Sequence, residues 1–246
     1  MKRIIGYILS PLHHFLFFFF LVIFHPIQWI LLKIGGYNGH KKSVNALNFF
    51  LLSSYYALGC PIKFNNAYQL PTDRPIIFAT NHQSMYDIPP LIWFLRKYHA
   101  KFISKIELTK NIPSISFNLR NGGGANIDRK DTKQSVGEIL MLGERMKQNN
   151  WSAVIFPEGT RSKDGKLKDF QVGGIATLLK RAPNALIVPI AIENSWKIVK
   201  HGLFWLEAFH PITFTVLSPI EPEGKPFEDS VKEAEMAIKL VVEIKT

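Results

Sequence analysis

The stretch from Phe15 to Ile34 constrains this chain more than any other. It sets Phe17-Phe18-Phe19-Phe20 within an apolar run interrupted only by His25, Pro26, Gln28 and Lys33. As an internal core helix it would make the four rings an unusually crowded core feature, whereas contact with lipid accommodates them. A signal peptide does not fit, because no small-residue cleavage site follows Phe15–Phe24. A straight spanning helix needs about 20 clean apolar residues, and Pro26 breaks this run near its middle. A second aromatic-rich segment, Val44 to Leu58, is amphipathic, with Asn45, Asn48, Ser53 and Ser54 among its polar residues. Residues 1–65 are therefore expected to form two helices that lie on or dip into one leaflet, with a single true span as the alternative. His13-His14, beside the apolar run, are expected to face that interface.

From about residue 70 the pattern changes, and short apolar runs alternate with helical periodicity. Strands are expected at Pro75–Thr80, Lys101–Ser104, Ala125–Ile127, Ala153–Phe156, Leu186–Ile192 and Ile212–Leu217. Helices are expected at Pro89–Tyr98, Lys133–Gln148, from Gly174 to Lys180, and from Ser230 with Glu233 in capping-box spacing. Residues 66–246 thus read as one α/β domain with a mixed central sheet flanked by helices. Its size permits a full core. The single Cys60 excludes an internal disulfide and a cysteine zinc cluster, and after Ala57-Leu58-Gly59 it reads as a packed small residue. The net charge of +11 suits an anionic membrane surface or a phosphorylated substrate. Nucleic acid is not the expected partner, since the basic residues are scattered and no nucleic-acid-binding signature is present.

Two segments carry chemistry. Asn81-His82-Gln83-Ser84-Met85-Tyr86-Asp87 lies between a strand and a helix opened by Pro89 and Pro90. His82 and Asp87, five residues apart, share no face of a regular helix, so they meet only if the chain turns between them. If they meet, the carboxylate fixes the imidazole tautomer and the free nitrogen can take a proton from an alcohol. The alternative makes Asp87 a helix N-cap and His82 a loop residue. The second segment, Phe156-Pro157-Glu158-Gly159-Thr160-Arg161-Ser162, weighs towards chemistry: an ordinary turn explains Pro157 and Gly159 but not the whole set. Arg161 suits bidentate phosphate binding, and N–H groups near Gly159 could form an anion nest.

Asn-His-x-Ser-x-x-Asp followed by Phe-Pro-Glu-Gly-Thr-Arg-Ser resembles the first and third blocks of the glycerolipid acyltransferases, most closely the bacterial 1-acyl-sn-glycerol-3-phosphate acyltransferases. Gly124 to Arg129, Val188 to Ile192, and Lys105 with Leu108 are similar to weaker blocks; the chain departs at Asn126, where the family has an aromatic or aliphatic residue. The resemblance implies acyl transfer from a thioester of coenzyme A or acyl carrier protein to the free hydroxyl of lysophosphatidic acid. It implies His82 as general base oriented by Asp87, Ser84 in support rather than as nucleophile, and Arg129, Arg161 and Lys105 on the acceptor phosphate. Glu158, Gly159, Thr160 and Ser162 would shape the acceptor pocket; Val188 to Ile192 reads as sheet core, with lining of the acyl tunnel as a further role and core alone as the commoner reason for such a run. A structural role for Arg129 would be an ion pair with Asp128 or Asp131. No metal and no cofactor beyond the acyl donor are implied. The expected setting is the bacterial inner membrane, with the active site on the cytoplasmic side. Alternatives are another lysophospholipid or lyso-aminolipid acceptor, and a lipid-binding protein without turnover.

Overall fold

The computed structural model describes residues 2–243. The apolar N-terminus is one helical element, α1 (Lys2–Ala57), reversed at Gly36 (φ 54°, ψ −146°) into two arms. That conformation is costly for residues with a Cβ, which is why the reversal falls on a glycine. The expected break at Pro26 does not occur, and Pro26 is carried inside the first arm. The arms run side by side. Leu21 and Phe24 pack on Leu47 and Leu51, and Phe20 and Phe24 reach Phe50 at 5.3 and 5.6 Å between centroids. At Gly39 an added Cβ would lie 2.2 Å from the Leu31 carbonyl oxygen, so the arms approach closely beside the reversal. His13, expected at an interface, is instead fully buried and hydrogen-bonds the Ser54 carbonyl at 2.8 Å; His14 is half-buried.

Seven strands follow: β1 (Ile62–Asn65), β2 (Ile76–Thr80), β3 (Lys101–Lys105), β4 (Ala125–Ile127), β5 (Ala153–Ile155), β6 (Leu186–Glu193) and β7 (Ile212–Val216). They form one sheet in the order β1-β7-β6-β2-β5-β3-β4, parallel throughout except between β6 and β7. The sheet is mixed, as expected. Its first strand, Ile62–Asn65, falls on the helical side of the expected division at residue 65 but pairs with β7.

The helices are α2 (Ile88–Phe94), α3 (Ile115–Asn121), α4 (Thr132–Asn149), α5 (Val172–Leu179), α6 (Ser195–Ile198) and α7 (Phe227–Glu243). The last begins three residues before the expected Ser230, which is buried inside the helix with its Oγ unpartnered among the described residues, so no capping box forms there.

β2 is buried on both faces, as parallel central strands are. Ile76 and Phe78 join a core roofed by α2, by Tyr55 of α1 and by Leu58 just past its end. Ile77 and Ala79 join a second core under α4, α5 and α7. The α1 hairpin is fastened to the domain along its length. Ser114, held at φ 59°, donates its N–H to His25 Nδ1 (3.0 Å) and its hydroxyl to the Leu21 carbonyl (2.6 Å). Tyr55 donates its hydroxyl to the Tyr86 carbonyl (2.9 Å), and Phe49 meets Trp93 at 4.8 Å. The opposite side of the first arm is left bare, with Ile8, Leu12, Phe15, Phe19 and Ile34 between 43% and 81% exposed. By length and composition, residues Ile5–Ala57 could cross a membrane.

Candidate active site

Because β2, β3, β4, β5 and β6 are mutually parallel, their carboxyl ends open on one edge of the sheet. Residues just past those ends therefore converge, which is where open α/β sheets hold ligands. His82 lies two residues past β2, Glu158 three past β5, Lys105 at the end of β3, Arg129 two past β4, and Ser195 two past β6. The chemistry-bearing segments met separately along the chain are thus folded into one place by strand direction.

The chain does turn between His82 and Asp87, through a single 3-10 turn over Met85–Asp87. His82 Nδ1 lies 2.8 Å from Asp87 Oδ2. The same oxygen accepts the N–H groups of Gln83 (2.7 Å) and Ser84 (2.9 Å), and Ser195 Oγ hydrogen-bonds Oδ1. Asp87 thus backs the histidine and, as the third residue of a capping box opened by Ser84, also closes the 3-10 turn, whereas the alternative of a side-chain cap on α2 is not found. A carboxylate confined to accepting from Nδ1 leaves Nε2 as the basic nitrogen. The imidazole stacks on Phe156, centroids 3.9 Å apart, and His82 faces a cavity of about 1910 Å³.

The loop is bolted down on every side. Asn81 Nδ2 donates to the Ile192 carbonyl (2.9 Å) while its Oδ1 accepts the Ile192 N–H (2.7 Å). Gln83 Oε1 accepts the Ser195 N–H (3.0 Å). Ser84, 1% exposed, accepts the Tyr86 N–H and donates to Ser195, so it is not presented as a nucleophile; Cys60 is fully buried.

The segment after β5 divides between support and exposure. Glu158 is 7% exposed, and its two oxygens accept the N–H groups of His82 (2.6 Å) and Lys168 (3.0 Å). Burial pushes its carboxyl up to about 7 against those hydrogen bonds. It braces the His82 backbone instead of shaping the acceptor pocket. Ser162 is buried too, giving its N–H to the His82 carbonyl (2.8 Å) and its hydroxyl to Asp164 (3.1 Å). The Gly159 N–H is bound to the Phe156 carbonyl (3.0 Å), so neither it nor Ser162 supplies the expected anion nest. Gly159, at φ 69°, Thr160 and Arg161 do line the cavity.

Lys105 and Arg129 line the same cavity, and both are exposed. The ion pair that would give Arg129 a structural role does not form: Asp131 caps α4 through the Gln134 N–H (2.9 Å), and Asp128 accepts the Lys130 N–H (2.9 Å). Asn126 turns away from the cavity, donating to the Leu119 carbonyl (2.8 Å). Val188 to Ile192 is sheet core only: all five residues are buried and none lines the cavity. Two residues of the arrangement were not foreseen, Ser195 behind Asp87 and Phe156 beneath the imidazole. Phe156 lay within a quoted motif without a role, and Ser195 carries no local signal.

A family model described as acyltransferase matches residues 61–193. Human 1-acyl-sn-glycerol-3-phosphate acyltransferase beta is 31% identical over 164 residues, 67% of this chain and 57% of that protein. A Helicobacter pylori 1-acyl-sn-glycerol-3-phosphate acyltransferase is 36% identical over 126 residues, half of each chain. The chloroplastic enzyme LPAT1 of Arabidopsis thaliana is 34% identical over 131 residues, 53% of this chain and 35% of that one. The chain thus spans between about a third and somewhat over half the length of these curated relatives. The crystal structure of the 1-acyl-sn-glycerophosphate acyltransferase PlsC of Thermotoga maritima shares the fold. Its TM-score is 0.81 at 23% identity, with 99% of this chain and 97% of that one covered.

Proposed function

The chain belongs to the acyltransferase family, and from that premise we propose that it transfers a fatty acyl group from a thioester to the free sn-2 hydroxyl of lysophosphatidic acid, giving phosphatidic acid for phospholipid synthesis. The observation that carries the reading is the 2.8 Å His82–Asp87 pair on a cavity that Arg129 and Arg161 also line. His82 Nε2 takes the hydroxyl proton. The oxygen attacks the thioester carbonyl, the new C–O bond forms, and the C–S bond breaks. The departing thiolate recovers the proton from the imidazolium that Asp87 stabilises. General-base action contributes about 10²–10⁴-fold, so positioning must supply much of the remainder. Two guanidinium groups match a phosphate better than a neutral headgroup, which favours a phosphate-bearing acceptor. The donor is acyl-coenzyme A or acyl carrier protein.

The α1 hairpin supports a membrane setting. Its first arm, residues 2–35, is about 50 Å long at 1.5 Å per residue, well beyond a hydrocarbon core of about 30 Å. It touches the α/β domain at Ser10 near its start and at His25 past its middle, and Tyr37, just beyond the reversal, reaches His99. An arm held along its length and bare on its other side lies along one leaflet and does not cross it. With net charge +11, the anionic cytoplasmic leaflet of a bacterial inner membrane is the fitting surface.

The test is the full chain with lysophosphatidic acid and each thioester donor, products resolved by mass. Phosphatidic acid is expected from the wild type, and its formation should collapse in His82→Ala while lipid binding survives. Ester formation at wild-type rate in that variant would remove the general base from the account. Free fatty acid released without acceptor would instead indicate a thioesterase.

A further inference from the structure

The loop between α6 and β7 bears the most exposed large apolar side chain among the described residues: Phe204, 85% exposed, beside Leu203 at 57%. An exposed apolar tip is expected to be loose, yet this one is fixed to the first arm of α1. The Leu206 N–H donates to Ser10 Oγ (2.8 Å), and His14 Nε2 hydrogen-bonds the Leu203 carbonyl (2.7 Å). Tyr7 stacks on Trp205 at 5.8 Å and meets the edge of Phe204 at 6.4 Å. Gly6 lies so close that an added Cβ would stand 2.0 Å from the Trp205 indole nitrogen. Gly6, Ser10 and His14 recur every fourth residue, so one narrow face of the arm is given over to holding this loop. The tip is thereby set against the arm at Tyr7 and His14, with Tyr7 itself 43% exposed beside it. Lys200 on the loop and Lys197 on α6 just before it, their ammonium groups 5.7 and 5.9 Å from the Trp196 ring, put cations beside the tip, as a surface meeting anionic headgroups requires. Tyr7, Pro11, His14, Leu203 and Phe204 also line the cavity that His82 faces.

We propose that residues 199–205 form a second bilayer-inserting element, and that its Leu203–Phe204 tip and the first arm frame a lateral doorway through which an anionic lysolipid passes from the leaflet to His82. Insertion stands on the exposed tip and its anchoring. The doorway rests in addition on the acyl-transfer reading. A lipid acceptor with its chain in the bilayer then enters sideways without its hydrocarbon crossing water, which is the costly alternative.

The full chain carrying Phe204→Cys tests insertion, because Cys60 is buried and the new thiol is the one open to an environment-sensitive fluorophore. On phosphatidylethanolamine–phosphatidylglycerol vesicles the label should shift to the blue and be quenched by shallow nitroxide lipids. An unshifted label on protein that co-sediments with the vesicles overturns insertion. Leu203→Ser with Phe204→Asp tests the doorway. Its kcat/KM for long-chain lysophosphatidic acid in vesicles should fall by about ten- to a hundredfold, with a clearly smaller loss for a short-chain, water-dissolved acceptor. Equal losses on both acceptors overturn the doorway. A wild type that forms no ester from either acceptor sinks the acyl-transfer reading and the doorway with it, while the labelled loop still decides insertion.

Discussion

Around His82 each carboxylate oxygen of Asp87 and Glu158 accepts at least one hydrogen bond, whereas Arg129 and Arg161, on the same cavity, have side chains that make no hydrogen bond or ion pair to the described residues. The first region is completed when the chain folds, so its geometry is fixed before any substrate arrives. The second keeps its donors for a ligand, since a guanidinium already paired would have to break that pairing to bind phosphate. The difference separates groups that set the reaction's geometry from groups that select what enters. The two should fail differently when altered.

The sharpest contrast is at Asp87. Asp87→Asn keeps the shape but removes the negative charge that stabilises the imidazolium; kcat should fall by about 10⁴-fold, the size of the effect when a buried carboxylate behind a catalytic imidazole is neutralised. Phosphate-bearing and phosphate-free acceptors should lose equally, measured by steady-state rates on both. A selective loss would blur the two regions. Next come the cations. Arg129→Ala and Arg161→Ala each remove charge-assisted hydrogen bonds of about 1.5–3 kcal/mol, so kcat/KM for lysophosphatidic acid should drop by roughly ten- to a hundredfold. A phosphate-free acceptor should be nearly indifferent, and equal losses would return these arginines to a structural role.

The smallest effect belongs to Glu158. Its carboxyl stands at about 7 when folded against an ordinary value near 4.5. The folded state therefore binds more protons than the unfolded one between those values, and stability from this group is full below about pH 4.5 and lost as pH rises towards 7. Denaturant midpoints measured across that window should fall more steeply with pH for the wild type than for Glu158→Gln. Parallel profiles would mean that Glu158 is not strained by burial. The slope is the readout, because the glutamine amide would also face the Lys168 N–H at a cost independent of pH.

Sequence periodicity located strands where burial is two-sided and the run is long: Leu186–Glu193 and Ile76–Thr80 lie within a residue of their expected limits. It missed Ile62–Asn65, a four-residue edge strand whose pairing partner, β7, is about 150 residues away. Pro26 misled because a proline in an apolar helix is tolerated when the surroundings hold the helix together, and the positive-φ demand fell on Gly36. In the site, His82 and Asp87 were legible from residue type and spacing, but the division of labour after β5 was not. Glu158 and Arg161 are three residues apart in one motif, and only the packing of Lys168 and His82 against the first turns it into a brace. Ser195 could not be read, because its role comes from the strand order that sets β6 beside β2.

The grip of Asn81 on both backbone groups of Ile192 has a thermal consequence. The catalytic turn is tied into the central ladder and cannot detach while β2 and β6 stay joined, so it belongs to the last portion of the molecule to open. Amide exchange at His82 and Gln83 should be as slow as in the middle of the sheet, and heating should extinguish turnover in the same transition that melts the protein.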